Sequence, residues 1–498
     1  MTDFLEALLH YSLAVRNFMW GNWMVALLVL TGLVLSVFTK FIQVRRLGNA
    51  LKLVLLGARG KDYQEEEEGD ISPFAALMTA LAATVGNGNI AGVATAIATG
   101  GPGAPLWMWV SGFLGMATKY AEGFLGVKYR EVAEDGTMAG GPMYYISKGL
   151  KNKKFGKILG AVFAVCGAFA ALFGTGNMAQ SNSMALAFQS QLGVPPLVSG
   201  LVITLLVGLV IIGGIKRIGA VAERLVPGMI LFYFAGAFVV IIANVTHIGE
   251  AFRIIFESAF TGKALGGALI GTSVQRAISL GVSRGVLSNE SGLGSAAIAQ
   301  SASKSGDPAK NGLIAMTGTF IDTLVVNTMT TLTIVLSGMW LLTPATGVDL
   351  DPSRVAAHLP QMVTQFAQQV GYDLSQGGLS STALTAAAFN TVIPYGGWII
   401  AFCSFLFGYT TLIGWAYYGE ICLEYIAGVK VKRPYRLTYI ALLFLGANLQ
   451  GQYLDIVWNV GDIANAFMAI PNLVGLLFLA RIVARITEDA FAGGRRVY

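Results

Sequence analysis

The chain is poor in charge, histidine and cysteine, and each scarcity closes off a class of function. Charged residues make up 12% of 498 residues against 55% hydrophobic ones, with a mean hydropathy of +0.65. That leaves too little polar surface to clothe a soluble protein. The three cysteines, Cys166, Cys403 and Cys422, lie within apolar runs and form no C-x-x-C pair. Neither a disulfide framework nor a thiolate metal centre is indicated. The three histidines, His10, His247 and His358, are scattered outside the long apolar runs, which argues against an intramembrane histidine cluster. No G-x-x-x-x-G-K-[ST] stretch occurs, so ATP drive is not expected. The N-terminus has no basic region ahead of a short apolar core and a small-residue cleavage site, so no removable signal peptide is expected. The net charge of +6 does not suggest nucleic acid, because the basic residues sit between apolar runs rather than in one patch.

What is present is a succession of apolar runs, at about 18–42, 73–99, 104–130, 155–192, 197–215, 219–245, 264–283, 309–343, 395–428, 436–456 and 464–486. Each can cross a hydrocarbon core of ~30 Å, which predicts an all-α polytopic membrane protein with eleven transmembrane helices. Ahead of them, residues 1–17 place Phe4, Leu5, Leu8, Leu9 and Leu13 at helical spacing, as in an amphipathic helix at the membrane interface. Lys and Arg cluster after the first, third, fifth, seventh, ninth and last runs, for example Lys40 to Lys61 and Lys430 to Arg436. By the positive-inside rule the N-terminus is outside and the C-terminus cytoplasmic, in a plasma (inner) membrane. The acidic run Glu65 to Glu68 then reads as a solvated cytoplasmic segment. The outer loop of about 344–394 is too long for a plain connection; its 354–370 portion has a helical pattern and reads as a lid.

Setting aside the extra helix at 18–42 leaves ten spans, which divide into two fives, 73–262 and 263–498. Five is odd, so the halves enter from opposite sides, an inverted repeat of the kind found in secondary transporters. Such designs open each half with a broken helix. The first is Thr79 to Gly101, interrupted by Val85-Gly86-Asn87-Gly88-Asn89. The second is expected in 264–300, with its break at 271–283 among the glycines.

A helix broken at Gly86 to Gly88 frees amides at the start of its second half, where the positive dipole end suits a carboxylate. Its first half, Pro73 to Val85, ends in carbonyls suited to a small hard cation such as Na⁺. The alternative is a packing hinge, since small residues also let membrane helices approach closely. Thr410 and Thr411 are adjacent hydroxyls in an apolar run, and can either turn inward as oxygen donors or back-bond to their own helix.

GNGNIAGVATAIATGGPGAPLWMW at 86–109, GGPMYYI at 140–146, GNMAQSNS at 176–183 and GVSRGVLSNESGLGSA at 281–296 resemble the alanine or glycine:cation symporter family, the sodium:alanine symporters, over roughly residues 15–490. The resemblance implies a LeuT-type fold, here a 5+5 inverted repeat preceded by one extra N-terminal helix, and Na⁺-driven uptake of small neutral amino acids. Asn87 departs from the pattern, where a Thr or Ser is expected. The Val85 to Asn89 break is also similar to the V-G-x-G-N of neurotransmitter:sodium symporters, and Gly408-Tyr409-Thr410-Thr411 to their G-L-T-S. That similarity implies sodium ligands at the carbonyls of Ala82, Val85 and Phe407 and the hydroxyls of Thr410 and Thr411. It also implies a carboxylate cradle at the amides of Asn87 and Gly88, with Asn89 beside them. A second sodium site at Thr84 and Asn89 is the weaker expectation.

Other intramembrane polar residues need partners. Gln180 either contacts substrate or, like Asn182, bonds between helices. Asp322 either serves function or pairs with Lys119 or Arg276. Lys119 and Glu122 are three apart on one helical face and predict a local pair. Trp398 is either an interfacial anchor or a ring closing the substrate cavity, and Glu290 is assigned to a cytoplasmic-side polar network. The reading is a Na⁺ symporter for alanine, with glycine as the other candidate, in a lipid bilayer. It has no cofactor beyond Na⁺ as coupling ion, no nucleic-acid partner and no catalytic residues. H⁺ coupling is the alternative. An ion channel would need an open selectivity path, and an intramembrane enzyme a nucleophile with a base.

Overall fold

The computed structural model describes residues 2–60, 68–174, 176–261, 274–346, 361–373 and 377–492. Helices α1 (Thr2–Met19) and α2 (Asn22–Phe38) come first, followed by the short α3 (Ile42–Arg45) and α4 (Leu47–Ala58). Next is a broken element: α5 (Pro73–Thr84), a π-helical turn at Gly88–Gly92, and α6 (Val93–Gly100), with a bend of 51°. After α7 (Ala104–Lys128), strands β1 (Glu131–Val132) and β2 (Met138–Ala139) form a small antiparallel ribbon. Helices α8 (Pro142–Gly149), α9 (Lys153–Phe173), α10 (Met178–Leu192), α11 (Pro196–Ile211), α12 (Gly214–Ala243) and α13 (Ile248–Thr261) follow. A second broken element consists of α14 (Val274–Asn289) and α15 (Ser295–Ser301). The chain then forms α16 (Pro308–Thr319), a π-helical stretch at Phe320–Val326, and α17 (Asn327–Leu336). It ends with α18 (Gln361–Val370), α19 (Ser381–Asn390), α20 (Gly396–Ala427), α21 (Lys432–Ala447) and α22 (Gln452–Ala492).

Local chemistry sets several of these boundaries. Ser72 Oγ accepts from Ala75 N at 2.8 Å and Pro73 opens α5; Asp307 and Pro308 do the same for α16. Both combine a side-chain cap with a proline whose missing N–H costs nothing in the first turn. Gly428, at φ +73°, ends α20, in the left-handed conformation that glycine adopts without strain.

Among the described residues, six helical stretches are long and apolar enough to cross a membrane, and the bent pair makes a seventh. The outward stripe of α11 shows the solvent it is built for. Leu197, Leu201, Leu205 and Leu209 recur every fourth residue and are each more than half exposed, which suits lipid tails rather than water. The interior is assembled from small residues instead. On α7, Gly112 abuts Thr323, Gly123 abuts Ala315 and Gly126 abuts the Ala297 carbonyl, the close approach on which membrane helices rely.

Several sequence-based boundaries move. The 155–192 run is two helices, α9 and α10. The run expected at 464–486 starts earlier, because α22 is continuous from Gln452 to Ala492. A break lies at Glu290–Gly294; of the expected 271–283 window, residues 271–273 lie outside the described residues, and from Val274 onward α14 runs unbroken through Gly281 and Gly285 to Asn289. Those two glycines serve packing, since a Cβ at Gly281 would lie 2.3 Å from the Ala104 carbonyl oxygen and one at Gly285 2.8 Å from Ser111 Oγ. Within the expected lid, α18 and α19 are helical; residues 347–360 lie outside the described residues, as do 61–67 of the acidic loop. Helix α1 runs along α22, with Arg16 Nη1 donating to Asn459 Oδ1 at 3.0 Å and Asn459 Nδ2 to Ser12 Oγ at 3.0 Å.

The tightest crossing predicts the least tolerant position. A Cβ on Gly461 would lie 2.2 Å from Gly174 Cα, backbone that cannot swing aside. Gly461→Val is expected to destabilise the fold by about 1–3 kcal/mol or more, read as a lowered melting temperature in detergent; an unchanged melting curve would contradict this packing.

Candidate functional site

The two broken helices meet. Gly88 faces Ser288 of α14, so close that a Cβ would lie 3.3 Å from Ser288 Cα. Their breaks open onto a cavity of about 1170 Å³. Gly86, Asn87 and Gly88 line it from the first break and Ser288 and Glu290 from the second, with Gln180 of α10, and Thr411 and Trp415 of α20, opposite. The cavity continues outward to Arg16, Ser381 and Asp455, of which Ser381 and Asp455 are exposed. At the other end, where the basic loops lie, the bundle is stapled shut. Ile71 N donates to Ala302 O at 3.1 Å, Lys304 N to Ile71 O at 2.7 Å, and Arg130 Nη1 to Ser301 O at 3.0 Å.

Side chains stand in for the missing helical bonds at each break. In the first, Asn89 Oδ1 accepts from Gly86 N at 2.8 Å. In the second, Glu122 Oε1 accepts from Gly292 N and Gly294 N at 3.0 and 3.1 Å and from Asn472 Nδ2 at 2.7 Å. Glu122 therefore bridges helices instead of pairing with Lys119, whose Nζ is buried without a hydrogen-bond partner among the described residues. Glu290, assigned from the sequence to a cytoplasmic-side polar network, borders the central cavity; its carboxylate accepts from Ser295 Oγ and, at 2.9 Å, from Trp415 Nε1.

Two oxygen-rich positions flank the first break. At one, Thr411 Oγ1 comes so near that a Cβ on Gly86 would sit 2.7 Å from it; the hydroxyl also lies 3.5 Å from the Ala83 carbonyl and donates to Phe407 O at 2.9 Å. Thr410 turns away, with Oγ1 bonded to Phe407 O at 3.0 Å and 3.5 Å from Met229 Sδ. Ala82 and Val85 are buried behind this point. The other position centres on Asp322. Its carboxylate accepts from Asn89 Nδ2 at 2.7 Å, Thr323 Oγ1 at 2.7 Å and Ser288 Oγ at 3.1 Å, with Asn327 Oδ1 2.8 Å from Asn89 Nδ2. Among the described residues it forms no ion pair with Lys119 or Arg276; its hydrogen-bond partners are neutral dipoles, and the Lys119 charge acts on it from further off.

Of the expected substrate residues, Asn87, Gly88 and Gln180 line the cavity, and Gln180 Nε2 is buried there without a hydrogen-bond partner among the described residues. Asn89 lies behind it as a structural bridge. Asn182 donates to the carbonyls of Gly446 and Leu449, an interhelical role. Trp398 is 52% exposed and does not border the cavity; Trp415 and Trp458 are the indole rings that line it. Thr84 borders the cavity but bonds back to Ala80 O at 3.2 Å. Nothing in a single sequence ranks Trp415 above Trp398. The cue for Asp322, its central place in an apolar run, was legible, but its partners were not.

An almost wholly helical membrane bundle in which two interrupted helices face one cavity has the layout of a LeuT-type fold. The solved structure of MhsT in complex with L-phenylalanine supports that fold, matching with a TM-score of 0.52 over 86% of this chain and 100% of that one at 14% identity. The chain belongs to the sodium:alanine symporter family, whose family model matches residues 5–493. The sodium/alanine symporter AgcS of Methanococcus maripaludis is 47% identical over 474 residues, 95% of either chain. A putative sodium/proton-dependent alanine carrier protein of Bacillus subtilis is 33% identical over 492 residues, 98% of this chain and 92% of the relative.

A side chain at Gly86 would intrude on the Thr411 hydroxyl. Gly86→Ala is expected to leave a folded protein whose amino-acid uptake falls about tenfold; uptake equal to the parent's would show that the Gly86–Thr411 approach is not needed.

Proposed function

We propose that this protein is a secondary active symporter coupling Na⁺ influx to uptake of a small neutral amino acid, alanine or glycine, by alternating access. The observation that carries this reading is the break at 85–89, which presents Asn87 and Gly88 to the cavity while its other side meets the Thr411 hydroxyl. The amides of Asn87 and Gly88 would receive the carboxylate at a positive helix end. The carbonyl end of α5 with Thr411, and with Phe407 O, supplies oxygen ligands of the kind a hard cation prefers. Thr410 is the more peripheral member, and the Asp322, Asn89, Ser288 and Asn327 cluster supports a second cation position. Relatives named as sodium/alanine and sodium/proton-dependent alanine carriers support alanine as substrate and coupling to a cation.

In this reading the bundle spans the membrane eleven times as a 5+5 inverted repeat, 73–262 and 263–498, after an extra helix. Its basic end is cytoplasmic and its N-terminus outside. The cavity reaching Arg16 and Ser381 then faces outward, and the staple at Ile71 and Lys304 closes the inner side. Na⁺ and substrate bound at one break stabilise the same conformer, which is what makes downhill Na⁺ movement productive. Proton coupling is the second reading, favoured by Asp322: a buried carboxylate among neutral donors can gain a proton in place of a metal cation.

Radiolabelled alanine uptake into proteoliposomes separates these. An inward Na⁺ gradient is expected to drive accumulation, and Thr411→Val to raise the half-saturating Na⁺ concentration at least about tenfold. Accumulation that follows a proton gradient and ignores Na⁺ would overturn the sodium reading.

A further inference from the structure

Where α2 ends, the chain turns into α3 through Lys40 and Phe41, both left-handed at φ +55° and +53°. Between this turn and the last turns of α22 lies a cavity of about 260 Å³ that shares no lining residue with the substrate cavity. Lys40, Arg45 and Arg46 border it from the α2–α3 side, Glu488 and Phe491 from α22, and Phe38 from the end of α2. Among the described residues, three cations therefore face one carboxylate. Lys40 Nζ pairs with Glu488, but the two side chains are 62% and 60% exposed, so the pair is screened and readily exchanged. Arg46 is held over the Phe491 ring, 4.5 Å from its centroid, a contact that fixes the guanidinium and leaves its N–H edge available. Among the described residues neither Arg45 nor Arg46 forms an ion pair.

The depth of the cavity suits a lipid headgroup. Helix α2 carries no charged residue in its 17 residues, a rise of about 25 Å, so its end lies where hydrocarbon gives way to headgroups. Along it, Leu30, Leu33 and Val37 recur every three or four residues and are exposed, and Phe38, also exposed, carries this apolar stripe to the cavity. Basic residues at this end of the bundle would by themselves only set orientation, as Lys151 and Lys154 do from exposed positions outside the cavity. Lys40, Arg45 and Arg46 differ in converging on one pocket with an aromatic side and an apolar approach. A phosphate joined to acyl chains has the same two-part form.

We propose that this cavity binds an anionic phospholipid, its phosphate received by Lys40, Arg45 and Arg46 and its acyl chains lying along the Leu30, Leu33 and Val37 stripe. The phosphate takes Lys40 from Glu488, which makes that carboxylate the resident competitor. Bound lipid fastens the extra helix α2 to the end of α22. The site stands whichever ion is coupled to transport.

The test uses the full chain in neutral detergent, with the rise in melting temperature on adding lipid as the readout. Phosphatidylglycerol is expected to raise it saturably, and phosphatidylcholine with the same chains to leave it unchanged. Arg45→Gln, at an exposed position, is expected to raise the half-saturating phosphatidylglycerol concentration about fivefold, and Glu488→Gln to lower it about threefold. Lys151→Gln combined with Lys154→Gln removes two charges outside the cavity and is expected to leave it within about twofold. Equal stabilisation by phosphatidylcholine, or parent-like phosphatidylglycerol binding in Arg45→Gln, would overturn the site. A loss in the Lys151 and Lys154 double variant as large as in Arg45→Gln would do so too, since attraction would then be diffuse. If Glu488→Gln only lowers the melting temperature and does not tighten lipid binding, Lys40 and Glu488 are a structural fastening and the proposal fails. Soluble glycerol phosphate protecting as well as the lipid would make this a free-anion site and overturn the lipid as its occupant.

Discussion

The structure turns on the need to satisfy peptide groups where two membrane helices are interrupted. An unpaired amide at bilayer depth costs several kcal/mol, so each break survives only because a side chain from a fixed position replaces the missing bond. Asn89 does this locally, reaching back three residues to Gly86 N. Glu122 does it across the bundle, from α7 to Gly292 N and Gly294 N. Asn472 joins the second arrangement by donating to both Glu122 and Gly292 O, and is itself bonded by the Tyr145 hydroxyl of α8. The glycines on α7 follow from this requirement, for only small residues allow α14, α15 and α16 to come near enough.

Charge follows the same geometry. Glu122, Glu290 and Asp322 are all buried around the two breaks, and Lys119 is the buried ammonium whose field reaches all three. Burial of ions is tolerated where dipoles and hydrogen bonds replace water. Asp322 is the case in point, gathering Asn89, Ser288 and Thr323. A bundle arranged in this way favours entry of a cation over entry of a second anion, which accords with the proposed symport. At the basic end the arrangement is reversed: acids there are met by Lys432 and Arg436, and the backbone staple between Ile71 and Lys304 lies close by.

Much of the site was legible from residue order. The break at Val85 to Asn89 was visible because glycine and asparagine interrupt an otherwise uniform apolar helix, and the loss of helical bonds there is a local matter. Thr411 stands out by type and by its adjacency to Thr410. The position of the second break is not legible from the sequence, because two kinds of glycine look alike there. Gly281 and Gly285 are small to admit α7, whereas Gly292 and Gly294, at φ +95° and +83°, are glycines because the backbone turns left-handed there. Trp398 and Trp415 are equally indistinct; which one borders the cavity depends on their different depths along α20.

The sequence by itself determined that the chain lies in a membrane, that it is helical and that one helix is broken at residues 85–89. Those properties arise from hydropathy and from backbone freedom, both of which act within a few residues. Only the tertiary structure decided that Asn89 belongs with Asp322, that Glu122 supports the second break rather than Lys119, and that Trp415 and Glu290 border the cavity. Each of these depends on partners a hundred or more residues apart being brought within hydrogen-bonding distance by helix packing, information that no local pattern carries.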